Sequence, residues 1–233
     1  PFSTCIVSPE ICSVGRYHYK KVQYNGYQKL SYLHPSVFRP DRGIVSKYIS
    51  PDETYFILRL VNFSAGHDVE MKHRGLKKEN ILQLISLLKK YGKIFISGES
   101  EIPDYLNEYK LKIDLKDIHH LLAFASLIIS DSQSMTVEAA MLGTPSIRYN
   151  SFVGKISVLE ELNKKYGLTT GIPVGNPEML FSTVEEMLMR KNLKEEFAMK
   201  REKMLSEKIN VNDFLIQFID NFPHSFNTQT RAS

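Results

Sequence analysis

Cysteine is scarce: only Cys5 and Cys12 occur in 233 residues. Their spacing fits no zinc or redox motif, and a chain of this length needs no disulfide framework to hold a core. Both are expected as buried or inert thiols in a reducing cytoplasm. Long apolar runs are missing too. The longest, residues 121–129, falls well short of the roughly 18 residues that a membrane span requires, and no signal-peptide pattern precedes it. Neither sign of charge dominates, with 30 Lys and Arg against 26 Asp and Glu, a formal net charge of +4. The charges are interleaved without a sustained basic stripe, which argues against a nucleic-acid partner. H-E-x-x-H, paired Cys/His clusters and EF-hand spacing are all absent, so no dedicated metal site is expected. The Gly-x-Ser-x-Gly elbow and the Walker lysine are absent as well.

What remains is the composition of an ordinary globular protein, 42% hydrophobic and 24% charged, in a chain long enough for one large domain or one and a half. The first residue is Pro1 and a strand-like run follows at once over 2–7, so the expectation is a fragment with a domain missing ahead of it. Residues 1–50, turn-rich around Asn25-Gly26 and over 35–43, read as the tail of a first domain plus a linker. From Thr54 onward strand and helix patterns alternate, the signature of α/β layers on a parallel sheet. Strands are expected over 55–61, 93–97, 127–130 and 146–149, with weaker ones near 111–113 and 168–170. Helices are expected over 76–91, 117–124 and 135–142 with its start somewhere in the 131–134 turn, then to about 166, from Pro177, over 193–208, and over an apolar stripe from Val211 to Phe218 and Ile219. Residues 51–222 are thus grouped as one Rossmann-like domain with C-terminal helices, and 223–233 as a flexible tail.

The densest signal lies at 127–149. The unalternating run Leu127-Ile128-Ile129-Ser130 suits a strand buried on both faces. Asp131, Ser132 and Ser134 are each good N-cap residues, so a helix must begin in this turn. Ala139 and Ala140 let it lie close on a sheet, Gly143 fits the position after its last turn, and Pro145 stops it. Such a βαβ unit aims backbone N–H groups and the positive helix end at one spot on the sheet edge, which favours phosphate. Glu138 lies about one turn in, within reach of sugar hydroxyls. The structural alternative stays open, since polar turns precede most helices and an early glutamate complements the dipole alone.

Ligands of open parallel sheets bind beyond the carboxyl ends of the strands, which selects the loops 62–68, 97–101, 114–117, 131–134 and 150–154. Within them His67 beside Asp68 forms a weak acid/base candidate, because adjacent side chains rarely face each other; Glu99 is a third. His119 and His120 diverge on a helix and cannot readily chelate one metal.

The segment Asp131-Ser132-Gln133-Ser134-Met135-Thr136-Val137-Glu138-Ala139-Ala140-Met141-Leu142-Gly143-Thr144-Pro145 resembles the nucleotide-binding segment of GT-B glycosyltransferases and the related UDP-N-acetylglucosamine 2-epimerases. More widely the chain resembles a prokaryotic GT-B-like family of unknown function, through Tyr24-Asn25-Gly26-Tyr27, Tyr32-Leu33-His34-Pro35, Ile57-Leu58-Arg59, Gly66-His67-Asp68 and Ile147-Arg148-Tyr149-Asn150-Ser151-Phe152. The resemblance implies a C-terminal Rossmann-like half that binds a UDP-sugar without metal or cofactor, with an N-terminal domain supplying the acceptor. It implies Ser132, Gln133 and Ser134 at the diphosphate beside Asp131, Glu138 at the ribose, Arg59 at the phosphates, and Asn150 and Ser151 on the neighbouring loop. Where epimerases and many transferases have glycines, this chain has Gln133 and Ser134, so side-chain hydroxyls would stand in for close backbone approach. The function implied is the donor half of a glycosyltransferase in surface polysaccharide or glycan synthesis; a sugar-nucleotide epimerase and a non-catalytic binding subunit are the alternatives. Fold analogy alone does not separate these.

Overall fold

The computed structural model describes residues 3–61, 76–98 and 101–226. They form two compact units, one made of Pro1–Arg39 with Glu202–Ser233 and the other of Pro40–Arg201.

In the first unit two short parallel strands, β1 (Ile6–Pro9) and β2 (Lys21–Tyr24), pair with Val7 opposite Val22. A two-stranded sheet has no stability of its own. It is supported by α1 (Leu30–Leu33) and by the final helix of the chain, Val211–Asp220. Val22, Tyr27, Leu30, Leu33 and Val211 are completely buried. Tyr24 lies against Phe214 with ring centroids 5.3 Å apart. Gly26 is where the backbone meets that helix, since a Cβ there would stand 2.6 Å from Val211 Cγ2. Sequence patterning divides the chain near residue 50 and groups every C-terminal helix with the preceding strands, whereas the compact units divide at Arg39 and Arg201. An amphipathic stripe shows that a helix covers something, not what it covers. Within the tail expected from residue 223, Ser225 is still hydrogen-bonded, its N–H to Asn221 O and its hydroxyl to Phe218 O.

The second unit begins with the short α2 (Arg42–Val45) and then alternates: β3 (Tyr55–Leu60), α3 (Lys78–Leu88), β4 (Lys93–Gly98), α4 (Ile118–Phe124), β5 (Leu127–Ser130), α5 (Gln133–Leu142), β6 (Ser146–Asn150), α6 (Ser157–Lys164), β7 (Thr170–Pro173), α7 (Pro177–Met189) and the start of α8 (Leu193–Glu207), whose residues after Arg201 count with the first unit. The final helix is α9. The sheet is parallel throughout, in the order β4-β3-β5-β6-β7. All four residues of β5 and all five of β6 are buried, as the unalternating runs require of strands covered on both faces. Ala139 and Ala140 are fully buried, and Gly143 ends α5 at φ +73°. Gly92 precedes β4 where a Cβ would stand 2.4 Å from the carbonyl oxygen of Thr54.

Two expected strands differ. Residues 111–113 form none: Leu111 N–H donates to Ile96 O at 2.8 Å and a single bridge joins Ile96 to Lys110. The last strand is Thr170–Pro173 rather than 168–170, because Leu168 is spent on ending α6. Its N–H donates to Leu162 O after Gly167 turns at φ +62°. Sheet order reverses between β3 and β5, which places the switch point at Val61 and Asp131.

Candidate functional site

The switch-point edge is built around Ser132. It is the N-cap of α5, its hydroxyl accepting from Met135 N–H at 3.4 Å. Ser132 is itself fixed, because its N–H donates to Ser130 Oγ at 2.8 Å and its carbonyl accepts from Thr136 Oγ1 at 2.7 Å. Asp131 reaches the other way, its Oδ1 accepting from Val61 N–H at 2.7 Å, and so ties the ends of β3 and β5 together. Asn150 Nδ2 donates to Asp131 O at 3.1 Å while its Oδ1 accepts from Phe152 N–H at 3.0 Å. Asp131 thus ties the ends of all three strands, β3, β5 and β6, together. Asp131, Ser132 and Asn150 are buried, Gln133 and Ser151 half-buried, and Ser134 exposed. The first N–H groups of α5 point beyond this edge with the positive end of the helix dipole.

Arg59, Ser130 and Arg148 occupy one register row, flanked by Ser97 and Gly171. Aligned residues of a parallel sheet share a face. Arg59 Nη1 donates to Ser97 Oγ at 2.8 Å and to Gly98 O at 3.0 Å, which anchors the guanidinium at the carboxyl end of β4. Glu138 lies further along α5, its Oε2 3.6 Å from Nε2 of His119 on α4. His120 accepts from the backbone N–H of Asp41 through Nδ1. The two histidines thus diverge to different partners. His67, Asp68 and Glu99 lie outside the described residues. Among the described residues no group of three or more His, Cys, Asp or Glu side chains is placed to hold a metal ion. No described helix is long and apolar enough to cross a membrane.

Sequence reasoning passed over Arg148 and Glu160. Among the described residues Arg148 is the largest of the fully buried side chains. Its Nη2 donates to Glu160 Oε1 at 3.2 Å, and its Nε and Nη1 have no acceptor among the described residues. Burial lowers the arginine's affinity for its proton, and Glu160 opposes that. Burial also acts to raise the Glu160 carboxyl, but it is outweighed by Gly154 N–H, Lys164 and Arg148, which hold it below its ordinary value. A buried donor left unmade costs about 1–3 kcal/mol, and a buried ion pair offers little net stability to offset that. The signal was present in the sequence: an arginine in the middle of a strand with buried neighbours on both sides. It served above only as part of a resemblance.

No protein-family model matches the sequence, and none of the curated proteins does. Solved structures do. The wall teichoic acid polymerase TagF, in its H548A form, superposes with a TM-score of 0.53 at 12% identity, covering 98% of this chain and 58% of that one. The glycosyltransferase VinC, crystallised in complex with DTDP, gives 0.50 at 11% identity, covering 74% and 42%. A putative UDP-N-acetylglucosamine 2-epimerase from Listeria monocytogenes gives 0.45 at 16% identity, covering 63% and 39%. The chain spans only about two fifths to three fifths of these neighbours. The alternation of helices around a five-stranded parallel sheet, with the superposition on the TagF structure, makes residues 40–201 a Rossmann-like domain of the GT-B fold.

Proposed function

We propose that the Rossmann-like unit binds the nucleoside diphosphate of a UDP-sugar and forms the donor half of a GT-B-type glycosyltransferase acting in surface polysaccharide or glycan assembly. The observation that carries this reading is the edge at the β3/β5 switch, where the capped N-terminus of α5 is set beside Asn150 by the Asp131 carbonyl. Open α/β sheets take ligands at that place. The neighbour VinC is described as a complex with DTDP, a ligand of the same chemical class. In this reading the α5 N-terminus and the hydroxyls of Ser132 and Ser134 take the diphosphate, Arg59 approaches it from β3, and Glu138 accepts from the ribose. The donor's bond breaks with negative charge on the departing diphosphate, which fixed dipoles stabilise without reorganising. No metal takes part. An N-terminal domain supplies the acceptor and the catalytic base.

Calorimetry with UDP, dTDP and ATP tests the reading. UDP is expected to bind and ATP to compete poorly, since base, ribose and diphosphate are contacted together. Equal displacement by ATP would reduce the site to a generic phosphate cradle. Residues 1–233 alone are expected to bind UDP without turning over a UDP-sugar, and repeated transfer to an acceptor by this chain would overturn the half-site assignment.

A further inference from the structure

Arg148 holds a full positive charge inside the fold and uses only part of its donor capacity. Its side chain is 0% exposed. Glu160 Oε1 takes one N–H from Nη2, while Nε and Nη1 face no acceptor among the described residues. An arginine has five N–H donors and cannot shed its charge to escape the shortfall. The surroundings are arranged to admit the guanidinium. Opposite it on β7 stands Gly171, where a Cβ would lie 3.0 Å from Arg148 Nη2 and 3.1 Å from Val153 Cγ1. Val153 belongs to the turn between β6 and α6, and that turn is tied to α6 by a bond from Gly154 N–H to Glu160 Oε1, 2.7 Å long. Gly154 sits at φ +85°, with open space where a Cβ would be. The carboxylate that pairs with Arg148 therefore also fastens the turn over it. α6 starts at the foot of the same turn with no side-chain cap on its first N–H groups.

We propose that Arg148 is an anion-binding residue, whose open donors receive a phosphate group that enters beneath the 151–155 turn. Glu160 occupies the guanidinium and fastens the turn while the anion is absent. Phosphate suits these donors because it presents several strong acceptor oxygens to a planar donor set. Asn150, two residues along β6 on the same face, is bonded to Asp131, so the row that holds Arg148 adjoins the edge described above. The identity of the anion as a nucleotide phosphate rests on the proposed function; the presence of an anion subsite does not.

The experiment follows the Nε–Hε resonance of Arg148 by NMR, assigned by through-bond correlation and by its loss in Arg148→Lys, during titration with UDP, inorganic pyrophosphate and uridine. The resonance is expected to move with UDP and with pyrophosphate and to stay still with uridine. By calorimetry, Arg148→Lys should weaken UDP by about tenfold or more, the worth of a hydrogen bond to a charged group. Glu160→Gln should tighten pyrophosphate, because it releases the guanidinium from its competitor. Movement with pyrophosphate in a protein that fails to bind UDP would support the subsite and sink the nucleotide reading. UDP bound with the resonance unmoved, or no movement with either anion, would overturn the inference. Weaker pyrophosphate binding by Glu160→Gln would overturn the competitor role. These titrations of the unmutated protein decide the matter even if the Arg148 variant fails to fold.

Discussion

Glu138 has two claims on its carboxylate. The proposed site gives it the ribose hydroxyls, and the fold gives it His119 at 3.6 Å. Glu138→Gln is expected to weaken UDP by about 1.5–3 kcal/mol, at least roughly tenfold, with little change in melting temperature. A 2′,3′-dideoxy nucleotide should bind both proteins alike. Unchanged UDP affinity with a lowered melting temperature would assign the carboxylate to the pairing of α4 and α5. Ser132→Ala removes a cap whose bond is long, 3.4 Å. Its expected cost is near the low end of the usual range, about 0.5–1 kcal/mol, read from denaturant midpoints. The cap was legible in the sequence only as a choice among Asp131, Ser132 and Ser134. What settles it is tertiary: Asp131 is committed to Val61 N–H, and no local pattern announces a partner 70 residues away.

At the scale of elements, strands with unalternating apolar runs are legible in the sequence, because burial on both faces leaves a pattern that needs no partner to interpret. The weak strands failed where a few residues had two uses, as Leu168 does in ending α6. Gly92 is a sharp test of the packing at the start of β4. Gly92→Ala sets a methyl 2.4 Å from the Thr54 carbonyl oxygen, so backbone must shift, with an expected loss of about 1–3 kcal/mol in chemical denaturation. The turn between β6 and α6 answers to pH. Glu160 lies below its ordinary value of 4.5 in the folded chain, so the unfolded chain takes up the proton first. Its contribution is therefore complete above the unfolded value and is lost as pH falls through the lower, folded one. The stability difference between wild type and Glu160→Gln should hold steady above about pH 5 and shrink on acidification below it, as followed by thermal melts across that range.

For the molecule as a whole, the unit formed from both chain segments is the one that sequence patterning did not delineate. Its residues are far apart in order, and a stripe on α9 looks the same whatever it covers. Removing residues 208–233 should uncover Tyr24, Tyr27 and the backbone at Gly26, because Phe214 lies against the first, Lys208 over the second and Val211 against the third. Limited proteolysis is expected to cut the truncated chain within 3–39 while β5 stays protected. Equal resistance in both proteins would show that β1 and β2 stand without α9.

The same arrangement sets a timetable for synthesis. Asn25 and Lys208, which hydrogen-bond at 3.0 Å, are 183 positions apart, so at roughly 5–20 residues per second the ribosome needs on the order of 10–40 s to deliver the second after the first. During that interval the strands of residues 40–201 are delivered one after another, while the N-terminal strands wait with their apolar side uncovered. A released chain ending at residue 201 should accordingly hold a finished α/β sheet and an N-terminal segment open to chaperones, and restoring the last helix should end that exposure.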